Sequence, residues 1–139
     1  MSETRYLVVE FDESAPVQAG FDRLNALTEG GGVAVLDAEF VRSIKGIAST
    51  VPASRVEAGL SEFDDLDTHL LSQTDLDIVV DTISGRHMVA AVVVFTGSID
   101  GAVQAWETAG ATVVRQGPVT PADLAAAQSG DPEISLLRG

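Results

Sequence analysis

The sequence predicts an α/β sandwich: a four-stranded antiparallel sheet with helices on one face and a helical insertion between strands two and three. Three observations predict it. Residues Arg86 to Pro118 read as strand, helix, strand, and Met88 to Phe95 is an unbroken apolar run of strand length rich in β-branched residues. Residues Arg5 to Val41 repeat the same order. The stretch between them, about 46–85, is an uneven connection with helical signals. Two strand–helix–strand halves with right-handed crossovers give the ferredoxin-like sandwich. A doubly wound parallel sheet is the rival; only four strands and an uneven middle connection count against it.

Each element has its own justification. Arg5 to Phe11 alternates as a first strand, and Asp12-Glu13-Ser14 supplies turn chemistry with Pro16 near the first helical turn. Val17, Phe21, Leu24 and Leu27 then fall on one helix face, and Gly30-Gly31-Gly32 stops that helix. The triple glycine follows a helix instead of leading into one and lacks a Lys-Ser/Thr pair, so it is not a phosphate loop. Val33 to Val41 is the second strand, with Ala34, Leu36, Ala38 and Phe40 on one face and Val33, Val35, Asp37, Glu39 and Val41 on the other. Gly46 to Gly59 reads as a loop or a short edge hairpin, and Ser61 to Leu66 as a short helix. Ser72-Gln73-Thr74-Asp75 has the form of a capping box with Asp in place of Glu. Leu76, Val79, Val80 and Ile83 continue it as an apolar stripe that Ser84-Gly85 closes.

In the helix after the third strand, Thr96 or Ser98 can cap. Ala102, Ala105, Trp106 and Ala109 form one stripe, and Gly110 suits a left-handed C-terminal cap. Thr112-Val113-Val114 starts the last strand, and Pro121 to Ala127 is an alanine-rich helix behind a Thr120 cap. The organisation expected is one domain over 1–128, with the insertion at about 46–85 and a disordered tail over 129–139.

Composition narrows the function. Apolar residues make up 45% and charged residues 21% of the 139, a globular balance. With 21 acidic against 8 basic residues the net charge is −13, which repels a phosphate backbone and an anionic membrane, so neither nucleic acid nor membrane is an expected partner. The absence of cysteine removes disulfides and zinc-thiolate sites. No basic-then-apolar leader is visible at Met1 to Arg5, and the expected location is cytoplasmic.

The strings Tyr6-Leu-Val-Val-Glu-Phe, Val33-Ala-Val-Leu-Asp-Ala-Glu-Phe-Val and Leu70-Leu-Ser-Gln-Thr-Asp-Leu, with the apolar strand before Trp106, carry a resemblance. Over residues 6 to about 118 the chain resembles a bacterial, often actinobacterial, family of domains without an assigned activity, marked by an "EF" strand and a "VLD-x-x-FV" strand. The resemblance implies the fold and carries no catalytic residue across.

Three groupings can carry chemistry. Asp64, Asp65, Asp67, His69, Asp75 and Asp77 offer oxygen ligands. They lack EF-hand spacing, and the leucines among them read as amphipathic helices with a solvated outer face, so no metal site or cofactor is expected. Glu10, Asp12 and Glu13 share a rim with Arg42, Lys45, Arg86 and His87, which can bind a small anion or simply form surface ion pairs. Tyr6, Glu10, Asp37 and Glu39 point to the face opposite the helices; enclosed, these carboxylates can be a general acid–base pair, and exposed they are the wet side of a sheet.

The function expected is a non-enzymatic soluble binding or self-assembly module. The alternative is a small cofactor-independent enzyme of the dimeric α/β-barrel type, using the face carboxylates for proton transfer. Because both faces of the Met88–Phe95 strand are apolar, a second cover is required. A homo-oligomer, most simply a dimer through the free face, is expected, with the 46–85 segment as the competing cover.

Overall fold

The computed structural model describes residues 3–56, 58–83, 88–131 and 133–137. Its sheet has five antiparallel strands in the order β3-β2-β4-β1-β5: β1 Thr4–Asp12, β2 Ala34–Ile44, β3 Ile47–Val51, β4 Met88–Thr96 and β5 Thr112–Pro118. The expectation of four strands is corrected by β3. Lys45 (φ 52°) and Gly46 (φ 82°) both take left-handed backbone conformations, and the two-residue turn they form pairs Ile44 with Ile47. The helices are α1 Gln18–Glu29, α2 Ala53–Val56, a 3₁₀ helix Ala58–Leu66, α3 Gln73–Thr82, α4 Asp100–Thr108 and α5 Pro121–Gln128. Among the described residues no helix is long and apolar enough to cross a membrane.

One face of the sheet is covered by α1, α4 and the 3₁₀ helix. Leu7, Val9 and Phe11 of β1 and Val89, Ala91, Val93 and Phe95 of β4 meet Phe21, Leu24, Phe63 and Trp106 there. Phe21 is the centre of an aromatic cluster, edge-on to Phe63 at 5.1 Å and to Trp106 at 5.0 Å between ring centroids. Trp106 is fully buried, as its helical spacing predicts. The cap of α4 differs from expectation: its N-cap is Ile99, with no side-chain cap bond, and Asp100 in the first turn complements the helix dipole instead.

The other face corrects the expectation that helices lie on one side only. Tyr6, Val8, Val41, Val92 and Val94 pack against Leu70, Leu76 and Val79 of the insertion and against Leu136 and Leu137. The expectation of a disordered tail is therefore corrected for Ser135, Leu136 and Leu137, which are buried. The ground for a dimer through this face goes with it, because the chain supplies the cover.

Asp75 fixes that cover. It stands at the N3 position of α3, where the predicted capping box forms: the Ser72 hydroxyl accepts the Asp75 N–H at 3.2 Å, and the Ser72 N–H donates to Asp75 Oδ2 at 3.3 Å. The same carboxylate accepts the Ser135 hydroxyl at 2.6 Å and the N–H groups of Leu136 at 3.1 Å and Leu137 at 3.0 Å. Arg115 Nε donates to the Leu137 carbonyl at 3.0 Å, so Leu137 is held at both its N–H and its C=O.

A β-bulge in β2 corrects the face assignment. The register against β4 shifts between Val35 and Asp37, so Val35 opposes Phe95 and Asp37 opposes the adjacent Val94. Val35 thus packs with the α1/α4 layer and Leu36 with the opposite layer, the reverse of simple alternation. From Asp37 onward the predicted alternation holds.

Two outcomes are expected. A Cβ on buried Gly20 of α1 would collide with the Trp106 indole. Gly20→Ala, ordinarily a gain of about 1 kcal/mol in a helix, should instead destabilise by about 1–3 kcal/mol as overpacking does, read by urea unfolding. Asp75→Ala should cost at least about 3 kcal/mol, since it leaves several buried donors without an acceptor, and should open the C-terminus to carboxypeptidase. Asp77→Ala on the exposed side of the same helix should stay within about 0.5 kcal/mol of wild type.

Candidate functional site

The candidate site lies where β2 loses its outer neighbour. β3 pairs only with Phe40 to Ile44, so the edge of β2 from Ala34 to Glu39 has no strand beside it. Residues 67–72 run along this edge, joining the 3₁₀ helix under one sheet face to α3 on the other. The Thr68 hydroxyl donates to the Leu36 carbonyl at 2.9 Å, and the Thr68 N–H donates to Asp37 Oδ1 at 2.7 Å. The Leu71 N–H donates to Glu39 Oε2 at 3.1 Å. Asp37 and Glu39 are therefore buried, at 0% and 2% exposure, beneath a segment whose backbone they hold. The expectation that they form the wet side of a sheet is corrected: the insertion seals this face.

Burial pushes the Glu39 carboxyl up to about 10, helped by its hydrogen bond to Asp37 and by the Asp37 charge. Glu39 is thus protonated at neutral pH. Asp37 Oδ2 has no other donor among the described residues and is left to Glu39. Asp67 is also raised, first by desolvation. Its Oδ1 accepts the His69 N–H at 3.1 Å and lies 3.1 Å from His69 Nδ1. His69 takes a left-handed backbone conformation at φ 57°, which turns its ring back toward Asp67 and leaves the side chain 79% exposed. Glu39, Asp67 and His69 each bring one ligating atom within 4.8 Å of the others.

Beside this cluster opens a cleft of about 400 Å³, lined by Ala38, Phe40, Val51 and Phe63 on its apolar side and by Asp64, Asp67 and His69 on its polar side. Asp64 is fixed at the rim by accepting the Ser54 N–H at 3.1 Å, and bonds from Ser54 hold its carboxyl below the usual range. None of the residues lining the cleft is a lysine or arginine.

The other expected groupings do not converge. Tyr6 and Glu10 share the face of Asp37 and Glu39, and both are buried, but β4 stands between them: Glu10 opposes Ala90 while Glu39 opposes Val92. The Tyr6 hydroxyl accepts Arg115 Nε at 3.1 Å and belongs to the clamp on the tail. At the rim, Arg42 and Glu13 form a partly exposed ion pair at 3.4 Å. Asp12 accepts the Ser14 N–H at 2.9 Å, and Lys45 is the turn residue of the β2–β3 hairpin. Arg86 and His87 lie outside the described residues.

Sequence reasoning named Asp67 and His69 in one grouping and Glu39 in another, and missed that the three meet. The available signal was a stretch from Glu57 to Asp81 without lysine or arginine, together with an earlier strand, Val33 to Val41, that carries Asp37 and Glu39 on one face. Comparison with protein-family models, curated proteins and solved structures gives no match for this chain.

The proton on Glu39 makes a pH prediction. Its folded-state value lies above the unfolded one, so the stability it contributes is complete below about pH 4.5 and declines as pH rises toward 10. In chelated buffer Glu39→Gln, which keeps a donor toward Asp37, should match wild type near pH 5. It should become progressively more stable than wild type up to pH 9, by no more than about 1.4 kcal/mol per pH unit. Equal destabilisation at every pH in urea titrations would mean that Glu39 is ionised in the fold.

Proposed function

We propose that the chain is a non-enzymatic binding module that takes a small cation or cationic ligand in the cleft at the free edge of β2. The observation that carries this is the convergence of Glu39, Asp67 and His69, the last two of which line a cleft that has an apolar wall and no lysine or arginine. A site of this volume suits a small ligand, and its charge rejects anions. The expected anion-binding rim finds less support, because Arg42 is already paired with Glu13.

What favours binding over proton transfer is the state of the buried acids. Asp37 and Glu39 accept backbone N–H groups of Thr68 and Leu71 and sit beneath the segment they hold. A general acid–base pair needs both of its carboxyls at the substrate, and Asp37, wholly buried and holding the Thr68 N–H, does not line the cleft. For the fold, the strand order β5-β1-β4-β2 with α1 and α4 on one face supports a ferredoxin-like core to which β3 adds an edge. A cytoplasmic setting fits the cysteine-free composition.

The test is a thermal-shift and calorimetry panel of divalent metal ions, alkylammonium ions and carboxylates of matched size. Cations should bind saturably and raise the melting temperature, and carboxylates should not. Asp67→Asn should weaken cation binding at least about 10-fold. Binding of the carboxylates alone, or no binding of any cation, overturns the reading.

A further inference from the structure

We propose that Glu39, Asp67 and His69 form a binding site for one divalent transition-metal ion, with the ion's open coordination position facing the cleft. This rests on the cation-binding reading above and names the cation. Two carboxylates and one imidazole are a ligand set for a borderline ion such as zinc, since the imidazole selects against calcium and magnesium. Their ligating atoms already lie within 4.8 Å of one another, so each needs to move by less than about 1 Å to reach zinc-ligand distances. The exposed His69 side chain is free to make that movement.

A second observation points to a ligand independently of the cluster. Asp37 is wholly buried, and its carboxyl abuts that of Glu39. Oδ1 takes the N–H and hydroxyl of Thr68, the residue between the two outer ligands, while Oδ2 has no donor besides Glu39 among the described residues. Three carboxyl groups thus meet, and the cleft that Asp67 and His69 line beside them has no lysine or arginine. A dication supplies positive charge in place of the Glu39 proton, which is released to solvent when the ion binds. Three protein ligands leave a fourth position for water or a ligand, as in open zinc sites, and two of the three, Asp67 and His69, line the cleft.

The experiment titrates chelator-treated full-length protein with Zn²⁺ by calorimetry and with Co²⁺ by visible absorption. Wild type should bind one ion, with a Co²⁺ spectrum of mixed nitrogen and oxygen ligation. Ca²⁺ and Mg²⁺ should bind at least about 10-fold more weakly. Glu39→Gln should lose affinity by about 100-fold. His69→Asn, exposed and tolerant of the left-handed backbone, should lose about 10-fold and the nitrogen signature; Asp65→Asn should change nothing. Stoichiometry above one with equal affinity in all variants would reveal diffuse counter-ion binding and overturn the site. Alkylammonium binding without Zn²⁺ binding would overturn the metal assignment and leave the cation-binding cleft standing, and no binding of either would remove both.

Discussion

Everything in this structure answers to the two-sided apolarity of β4. Val89, Ala91, Val93 and Phe95 enter one core and Ala90, Val92 and Val94 the other, and all are 5% exposed or less. A strand of that kind must lie between two covering layers. The two crossover helices α1 and α4 make only one. The second has to come from residues outside the two strand–helix–strand halves, and the chain draws it from the insertion and from its own end. α3 and Leu70 cover part of the face, while Leu136 and Leu137 cover part of what remains.

Bringing two remote segments onto one sheet face creates a polar problem as well as an apolar gain. Their backbone groups leave water, and a buried N–H without a partner costs about 1–3 kcal/mol. Acidic side chains solve it here. Asp75 takes the N–H groups of Ser72, Leu136 and Leu137, and Asp37 and Glu39 take those of Thr68 and Leu71. This explains why Asp37, Glu39 and Asp75 are buried: each is an acceptor where the second layer meets its neighbours. Asp75 satisfies both its oxygens in this way. Asp37 does not, since its Oδ2 finds no donor besides Glu39 among the described residues, which separates a structural hub from a candidate site.

The parts legible in the sequence are those decided by near neighbours. The capping box at Ser72, the Thr120 cap, the Trp106 stripe and the Gly110 turn (φ 97°) follow from spacings of a few residues, and the structure has all four. What was not legible depends on distant pairing. The bulge at Leu36 leaves no mark in a run of alternating residues, yet it exchanges the faces of Val35 and Leu36. Leu136 and Leu137 sit in a polar, proline-containing tail whose composition suggests no order; their place is set by Asp75, sixty-one residues away in the case of Leu136. Glu39 and His69 meet only because the 67–72 segment runs along β2, a proximity no local pattern encodes.

The position of the candidate site follows from the length of β3. An exposed strand edge must be paired, covered or charged, and β3 is long enough to pair only the second half of β2. Along the first half a non-strand segment does the covering through side-chain and backbone bonds from Thr68 and Leu71. An irregular segment cannot close against a strand as another strand does, so a cleft stays open where the two part, bounded by Val51 at the end of β3 and by Phe63 below. The acids that hold the segment in place are consequently the ones nearest the opening. Had β3 extended four residues further, its backbone would have taken the β2 edge, and Asp67 and His69 would have had no reason to approach Glu39. The same shortfall in pairing that the fold must repair is what brings three ligand-bearing side chains together.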